Sequence, residues 1–412
     1  MIQYGLIGAK LGHSFSKEIH SQIADYEYNL IELSPQRLED FLLKKDFKAV
    51  NVTIPYKRDV IPFLDEMTDE ALKIGAVNCI RSDGGRLIGH NTDFDGLISL
   101  IKHAKVSIKD KKVLILGTGG TSDTAYAACE ALGAKEILKV SRSKGQGVIT
   151  YEEVCEEHYQ SNVIINATPC GMYPDIYNIP IDIKNFLELE GVIDVIYNPL
   201  RTALVSEAIN KGIKAEGGLY MLVAQAVAAS EFFLNTCYED GLTEKIYQNI
   251  YCDKSNIVLI GMPSSGKSTV GEMIASKLDR KLYDTDDLIE KREGITIPEI
   301  FEKYGEGYFR EAEASVIREI SAKSGVVIST GGGAVLKEEN IKNLKMNGKV
   351  FFVDRSPELL QPTDDRPTAF DKEQIMKRYK ERYSIYTSSA DVIVKNDGSI
   401  DQAVHKILEE YK

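Results

Sequence analysis

Residues 256–268 read NIVLIGMPSSGKS, an apolar strand that stops at a glycine and feeds through STVGEMIASKL into a helical pattern. Gly261 to Ser268 has the spacing GxxxxGK[ST], and both flanking elements stand in the order a phosphate-binding loop needs. Such a loop, here Gly261, Ser264, Ser265, Gly266, Lys267, Ser268 and Thr269, turns backbone N–H groups toward phosphate oxygens. Lys267 can place a charge at the terminal phosphates and Ser268 can ligate Mg²⁺. Two more β-rich runs end in glycines: KKVLILGTGG at 111–120 and VVISTGGG at 326–333.

The first and second glycine turns in chain order, at Gly117 and Gly261, lie about 140 residues apart, too far for one βαβ unit. Two domains follow, 1–252 and 254–412, joined near Cys252–Lys254 by a helix (GLTEKIYQNIY) that runs almost directly into the strand NIVLI. The first should divide again. Residues 1–100 with about 215–250 would form one subdomain and 101–214 a nucleotide-binding one. β-rich runs alternate with helical patterns throughout, so the expected class is α/β with parallel sheets.

The chain has 412 residues, 43% hydrophobic and 27% charged, ample for globular cores. A net charge of −12 argues against nucleic acid or an anionic membrane as partner. It also means that anionic substrates must be met by locally gathered Lys and Arg. The six cysteines are scattered, without CxxC or metal-ligand spacing, as reduced thiols would be. MIQYGLIGAKLGHSFSKEIH lacks the features of a signal peptide, and MLVAQAVAASEFFL is too short and too polar to span a bilayer. A cytoplasmic protein is expected.

Gly117, Gly119 and Gly120 follow VLIL and precede a helical pattern, but Ser122 stands where the dinucleotide fingerprint has Gly or Ala. The next strand ends at Ser141 and Arg142, with no acidic residue for a ribose diol; Arg142 would meet a 2′-phosphate. NADP is therefore preferred over NAD.

After the second loop come DTDD, with Asp284 and Asp286 two apart, GEGYFREAE with Arg310, STGGG with Gly331, Gly332 and Gly333, QPTDDRPTAF with Arg366, and ERYSIY with Arg382. In this order residues 255–412 resemble shikimate kinase, a P-loop fold akin to the nucleoside monophosphate kinases. The resemblance implies ATP and Mg²⁺ as cofactors and Asp286 as the base for the acceptor hydroxyl. Asp284 would hold Mg²⁺ through water, Ser268 directly. Arg310 and Arg382 would clamp the substrate carboxylate beside Gly331–Gly333, and Arg366 would lie on a lid. Singly, each arginine reads as readily as a solvated surface side chain; the motif order overturns that.

The first domain carries GHSFSKEIH (Ser14, Ser16), NVTIPYK (Thr53, Lys57), GAVN (Asn78), GHNTDFDG (Asp93), NATPCGM, DVIYNPLRT (Tyr197) and GGLYMLVAQA (Gly218, Met221, Gln225). Together these resemble shikimate dehydrogenase, a two-subdomain fold with a Rossmann-type NADP domain, over residues 1 to about 250. The resemblance implies reduction of 3-dehydroshikimate to shikimate by NADPH, with Lys57 and Asp93 as catalytic pair. Ser14, Ser16 and Tyr197 would take the carboxylate, and Thr53, Asn78, Asp93 and Gln225 the ring oxygens. Gly218 and Met221 would lie near the nicotinamide. Two departures stand out. Lys17 replaces a usual Pro, predicting a looser turn, and GTGGTSD puts Asp123 beside the pyrophosphate, a repulsive placement.

Partners are then the two small ring acids, neither nucleic acid nor membrane, with a homodimer left open. A quinate-oxidising, NAD-dependent first domain is disfavoured by Arg142 and by the adjoining kinase. A non-catalytic metabolite sensor would have lost Lys57, Asp93, Lys267 or Asp286 and gained a basic element. Neither has happened.

Overall fold

Strands such as Val163–Asn166, Gly191–Asp194 and Asn256–Ile260 are buried at every residue. That pattern belongs to parallel sheets covered on both faces. The computed structural model describes residues 2–12, 14–360 and 372–411. It falls into two compact units, Met1–Ile250 and Tyr251–Lys412, the division lying within the helix Leu242–Lys254. All six cysteines are free thiols.

The first unit holds two sheets, each the centre of a lobe. The first has the spatial order Tyr28–Glu32, Ile2–Gly8, Phe47–Val52, Cys79–Asp83, Arg86–His90, Glu66–Met67. It is mixed rather than parallel, because Cys79–Asp83 runs antiparallel to both neighbours. The cause is local. Gly84 (φ 56°) and Gly85 (φ 85°) are both left-handed, as a two-residue hairpin requires.

The second sheet is parallel throughout, ordered Lys214–Glu216, Gly191–Asp194, Val163–Asn166, Lys112–Leu116, Glu136–Ser141, Val148–Thr150. Chain order reverses between Lys112–Leu116 and Val163–Asn166, which opens a crevice at their C-terminal ends. The second unit has one parallel sheet, ordered Leu282–Asp284, Val327–Ser329, Asn256–Ile260, Gly348–Asp354, Val392–Lys395.

The helix Leu219–Leu234 binds both lobes of the first unit. Its Met221 packs with Leu97, Leu100 and Ile115, while Ala229 and Phe233 pack with Tyr4, Leu6 and Tyr28. It lies against the helix Thr92–His103 at Gly96, where an added Cβ would stand 2.8 Å from the Met221 carbonyl oxygen and 2.9 Å from Gln225 Cβ. No helix among the described residues is long and apolar enough to cross a membrane.

Gly96→Ala should therefore destabilise the first unit. The gain in helix propensity is about 1 kcal/mol, but overpacking against a backbone carbonyl costs about 1–3 kcal/mol. Calorimetry should show the first unit's transition lowered and the second's unmoved; an unchanged or raised first transition would show that the helices can separate freely.

Candidate functional site

A cleft of about 410 Å³ in the first unit is lined by Ser14, Ser16, Thr53, Lys57, Asn78, Asp93, Tyr197, Gly218, Met221 and Gln225. It also takes in Thr121 from the first glycine turn. Lys57 follows the strand Phe47–Val52, and Asp93 stands in the first turn of Thr92–His103. Their side chains, 21% and 13% exposed, meet at 2.6 Å. Buried amides fix the geometry: Asn78 Oδ1 accepts from the Thr92 amide at 2.7 Å, and Asn51 Nδ2 donates to the Asn78 carbonyl at 3.3 Å. Tyr28 in turn donates to Asn51 Oδ1 at 2.7 Å.

At the other end of the cleft, Ser14 Oγ accepts from the Ser16 amide at 3.2 Å and donates to Ser16 Oγ at 2.9 Å. This turn closes on its own hydroxyls, and Lys17 stands exposed just beyond it at the start of the helix Ser16–Ile23. The Tyr197 ring packs 5.3 Å from Phe15, and burial raises its phenol pKa.

The first glycine turn leads from Lys112–Leu116 into the helix Gly120–Ala131. Gly117 has φ 112°, and its amide donates to the Val140 carbonyl. An added Cβ at Gly119 or Gly120 would meet nothing within 4 Å, leaving room for a ligand's phosphates. Ser122 is fully buried and donates to the Gly117 carbonyl at 2.7 Å, so the hydroxyl that departs from the fingerprint braces the turn. Ser141 and the exposed Arg142 stand at the end of the neighbouring strand, outside the cleft lining. Asp123 is ion-paired on both sides, with Lys139 at 2.6 Å and with Arg58.

In the second unit a cavity of about 720 Å³ brings together Ser268, Asp284, Asp286, Arg310, Gly331–Gly333 and Arg382. Gly266 (φ 90°) caps the helix Lys267–Leu278, and the buried Lys267 ammonium donates to the Gly261 and Met262 carbonyls at 3.0 and 2.8 Å. Ser264, Ser265 and Thr269 complete the loop, and Asn396 Nδ2 holds the Ser265 carbonyl at 2.8 Å. Ser268 Oγ donates to Asp284 Oδ2 at 2.9 Å. Asp284 ends the strand Leu282–Asp284 and caps the helix Thr285–Glu293, whose first turn contains Asp286. The two carboxylates thus differ in element, not merely in pleat direction. Arg310 follows a break at Gly305 within Ile297–Ser321 and pairs with Glu313 at 2.8 Å and Glu306 at 3.1 Å. A side chain at Gly333 would overlap its guanidinium. Arg382 and Tyr386 both donate to the Gly332 carbonyl, at 3.2 and 2.5 Å. Arg366 lies outside the described residues.

The chain is 36% identical over 277 residues to the shikimate dehydrogenase (NADP(+)) of Clostridium perfringens strain ATCC 13124, covering 98% of that protein and 60% of its own length. It belongs to the shikimate dehydrogenase family. A family profile described as shikimate dehydrogenase substrate binding domain matches residues 6–80, and one described as shikimate kinase matches 263–412. A dehydrogenase and a kinase domain therefore share one chain. Among solved structures, a chorismate mutase/shikimate 5-dehydrogenase fusion from Clostridium acetobutylicum is 34% identical with a TM-score of 0.57, over 61% of this chain and 97% of that one. The Thermus thermophilus shikimate 5-dehydrogenase, solved with NADP(H) and shikimate, is 26% identical with a TM-score of 0.54, over 60% and 99%.

Sequence reasoning left several residues of this dehydrogenase and kinase without a role. Asp194 is fully buried, accepting from Thr202 Oγ1 at 2.7 Å, Asn166 Nδ2 at 3.0 Å and the Ile196 amide at 3.1 Å; burial pushes its carboxyl up to about 6. It ties the NATPCGM loop to DVIYNPLRT at the crevice. Its signal was a polar residue closing a wholly apolar strand. In the kinase domain Glu313 is 1% exposed, and burial pushes it up to about 7 against the opposing pull of Arg310.

Glu313 thus binds its proton more tightly folded than unfolded. Its penalty is absent below its ordinary value of 4.5 and grows as pH rises to about 7. The kinase domain should lose stability across that window, and Glu313→Gln should flatten the loss. Calorimetry from pH 5 to 8, following the second unit's transition, checks this; identical slopes in the two proteins would contradict it.

Proposed function

We propose that the first unit reduces 3-dehydroshikimate to shikimate with NADPH and that the second phosphorylates shikimate with ATP and Mg²⁺. The observation that carries the reading is the Lys57–Asp93 pair, 2.6 Å apart in a cleft whose remaining polar groups, Lys10 apart, are hydroxyls and amides set among apolar walls such as Leu11, Val52 and Met221. A polyhydroxylated acid suits that lining. The open face of Gly119 and Gly120 suits a dinucleotide's phosphates, and Arg142 beyond it a 2′-phosphate.

NADPH, when bound, supplies the hydride. Lys57 donates a proton to the ketone oxygen as it becomes an alkoxide, and Asp93 holds the ammonium toward it. Ser14, Ser16 and Tyr197 take the carboxylate; Thr53, Asn78, Asp93 and Gln225 fix the ring oxygens. Gly218 and Met221, which line the same cleft, would hold the nicotinamide end of the cofactor.

In the kinase domain ATP supplies the phosphoryl group, and Asp286 accepts the hydroxyl proton. The loop amides and Lys267 neutralise the phosphates. Ser268 and Asp284, already 2.9 Å apart, would hold Mg²⁺, the second through water. Arg310 and Arg382 present planar donors to the carboxylate, a geometry an ammonium does not offer.

A coupled assay with 3-dehydroshikimate, NADPH and ATP·Mg²⁺ tests both halves. Lys57→Ala should lower reduction by on the order of 10²–10⁴-fold and spare phosphorylation of added shikimate; Lys267→Ala should do the reverse. If either change in a folded protein removed both activities, two independent sites would be the wrong description.

A further inference from the structure

We propose that Arg58 is a residue of the cofactor site. From the substrate lobe it neutralises a carboxylate that this chain carries at its own phosphate-binding turn. The proposal rests on the reading that this turn binds NADP(H).

Asp123 stands in the first turn of the helix Gly120–Ala131. That is where the helix dipole and unpaired N–H groups favour negative charge, whether from a side chain or from a bound diphosphate. A bare carboxylate there would compete for the field and repel the cofactor.

Asp123 is not bare. Lys139, from the strand Glu136–Ser141 of the same lobe, pairs with Oδ1 at 2.6 Å, and Arg58 pairs with Oδ2. With Lys139 alone the cluster would be neutral. Arg58 makes it two cations against one carboxylate, a single net positive charge at the first turn of the helix that follows the cradle. The Arg58 side chain is 61% exposed, so packing does not account for its placement. It follows Lys57 directly and reaches from the first lobe to the second. The same turn of chain therefore serves the substrate with one residue and the cofactor with the next.

The charge count makes the test sharp. Arg58→Ala leaves net zero, Asp123→Asn leaves two positive charges, and the double variant returns to one. NADPH binding to the full chain, followed by the cofactor's own fluorescence, should weaken about five-fold in Arg58→Ala. Asp123→Asn should bind at least as tightly as the unaltered chain. The double variant should regain most of the loss, and the Arg58→Ala defect should shrink as salt rises. KM for 3-dehydroshikimate should stay within about two-fold in all three. A double variant as weak as Arg58→Ala, or an Arg58→Ala protein with unchanged NADPH affinity, would overturn the proposal while leaving the dinucleotide reading in place. Failure of the unaltered chain to bind NADPH would remove both.

Discussion

An acidic chain that handles anions has to keep its working cations from being spent on its own carboxylates at random. Here the cations at both sites are held by chosen acceptors. Lys57 is fixed by Asp93, Arg310 by Glu306 and Glu313, and Lys139 with Arg58 by Asp123. Lys267 and Arg382 are held by backbone carbonyls instead. Such pairing limits rotamer freedom before any ligand arrives, so less ordering is left for the binding step. It also limits field strength, because each paired cation presents less than its full charge. Where a strong field is needed, the chain adds backbone dipoles at a glycine turn, which carry no counter-charge.

That division explains what could be read from residues alone and what could not. The glycine turns were readable because each is a local event: a strand, a turn and a helix adjacent in sequence. So were Lys57, Asp93 and the loop through Lys267, which sit in dense motifs. The partners of those groups were not. Glu313 lies one helical turn from Arg310 but looks like any other Glu in an acidic helix, and only its 1% exposure marks it. Asp194 acts through a buried amide and a hydroxyl brought from other segments. The first sheet, expected to be parallel, is mixed for a nearer reason. Its decisive signal is the pair Gly84-Gly85, two residues in a run otherwise read for alternation.

The two departures from the family pattern resolve in different ways. Lys17 follows a turn that Ser14 closes by hydrogen bonds to Ser16, none of which involves the lysine. Asp123 did not stay isolated. Its charge is answered by a lysine in its own lobe and an arginine from the other, so the feature that looked unfavourable in one segment is balanced only in the folded unit. A substitution can be judged repulsive from sequence only when its surroundings are sequential, and here they are not.

On the proposed reading the two domains would meet the same ring acid with different chemistry, and electrostatics gives a reason. In the proposed dehydrogenase site the carboxylate is taken by Ser14, Ser16 and Tyr197, all neutral, while the reacting end holds the Lys57–Asp93 pair. Placing guanidinium groups beside that pair would draw Asp93 away from Lys57. The kinase cavity faces the opposite demand. Its substrate must approach a nucleotide of several negative charges, and hydroxyl donors alone would not offset that repulsion. Arg310, whose charge is steadied by Glu313 and Glu306, and Arg382, held by the Gly332 carbonyl, would supply the missing positive charge to the substrate carboxylate. The choice of donor thus follows the charge of the second substrate rather than the shape of the first.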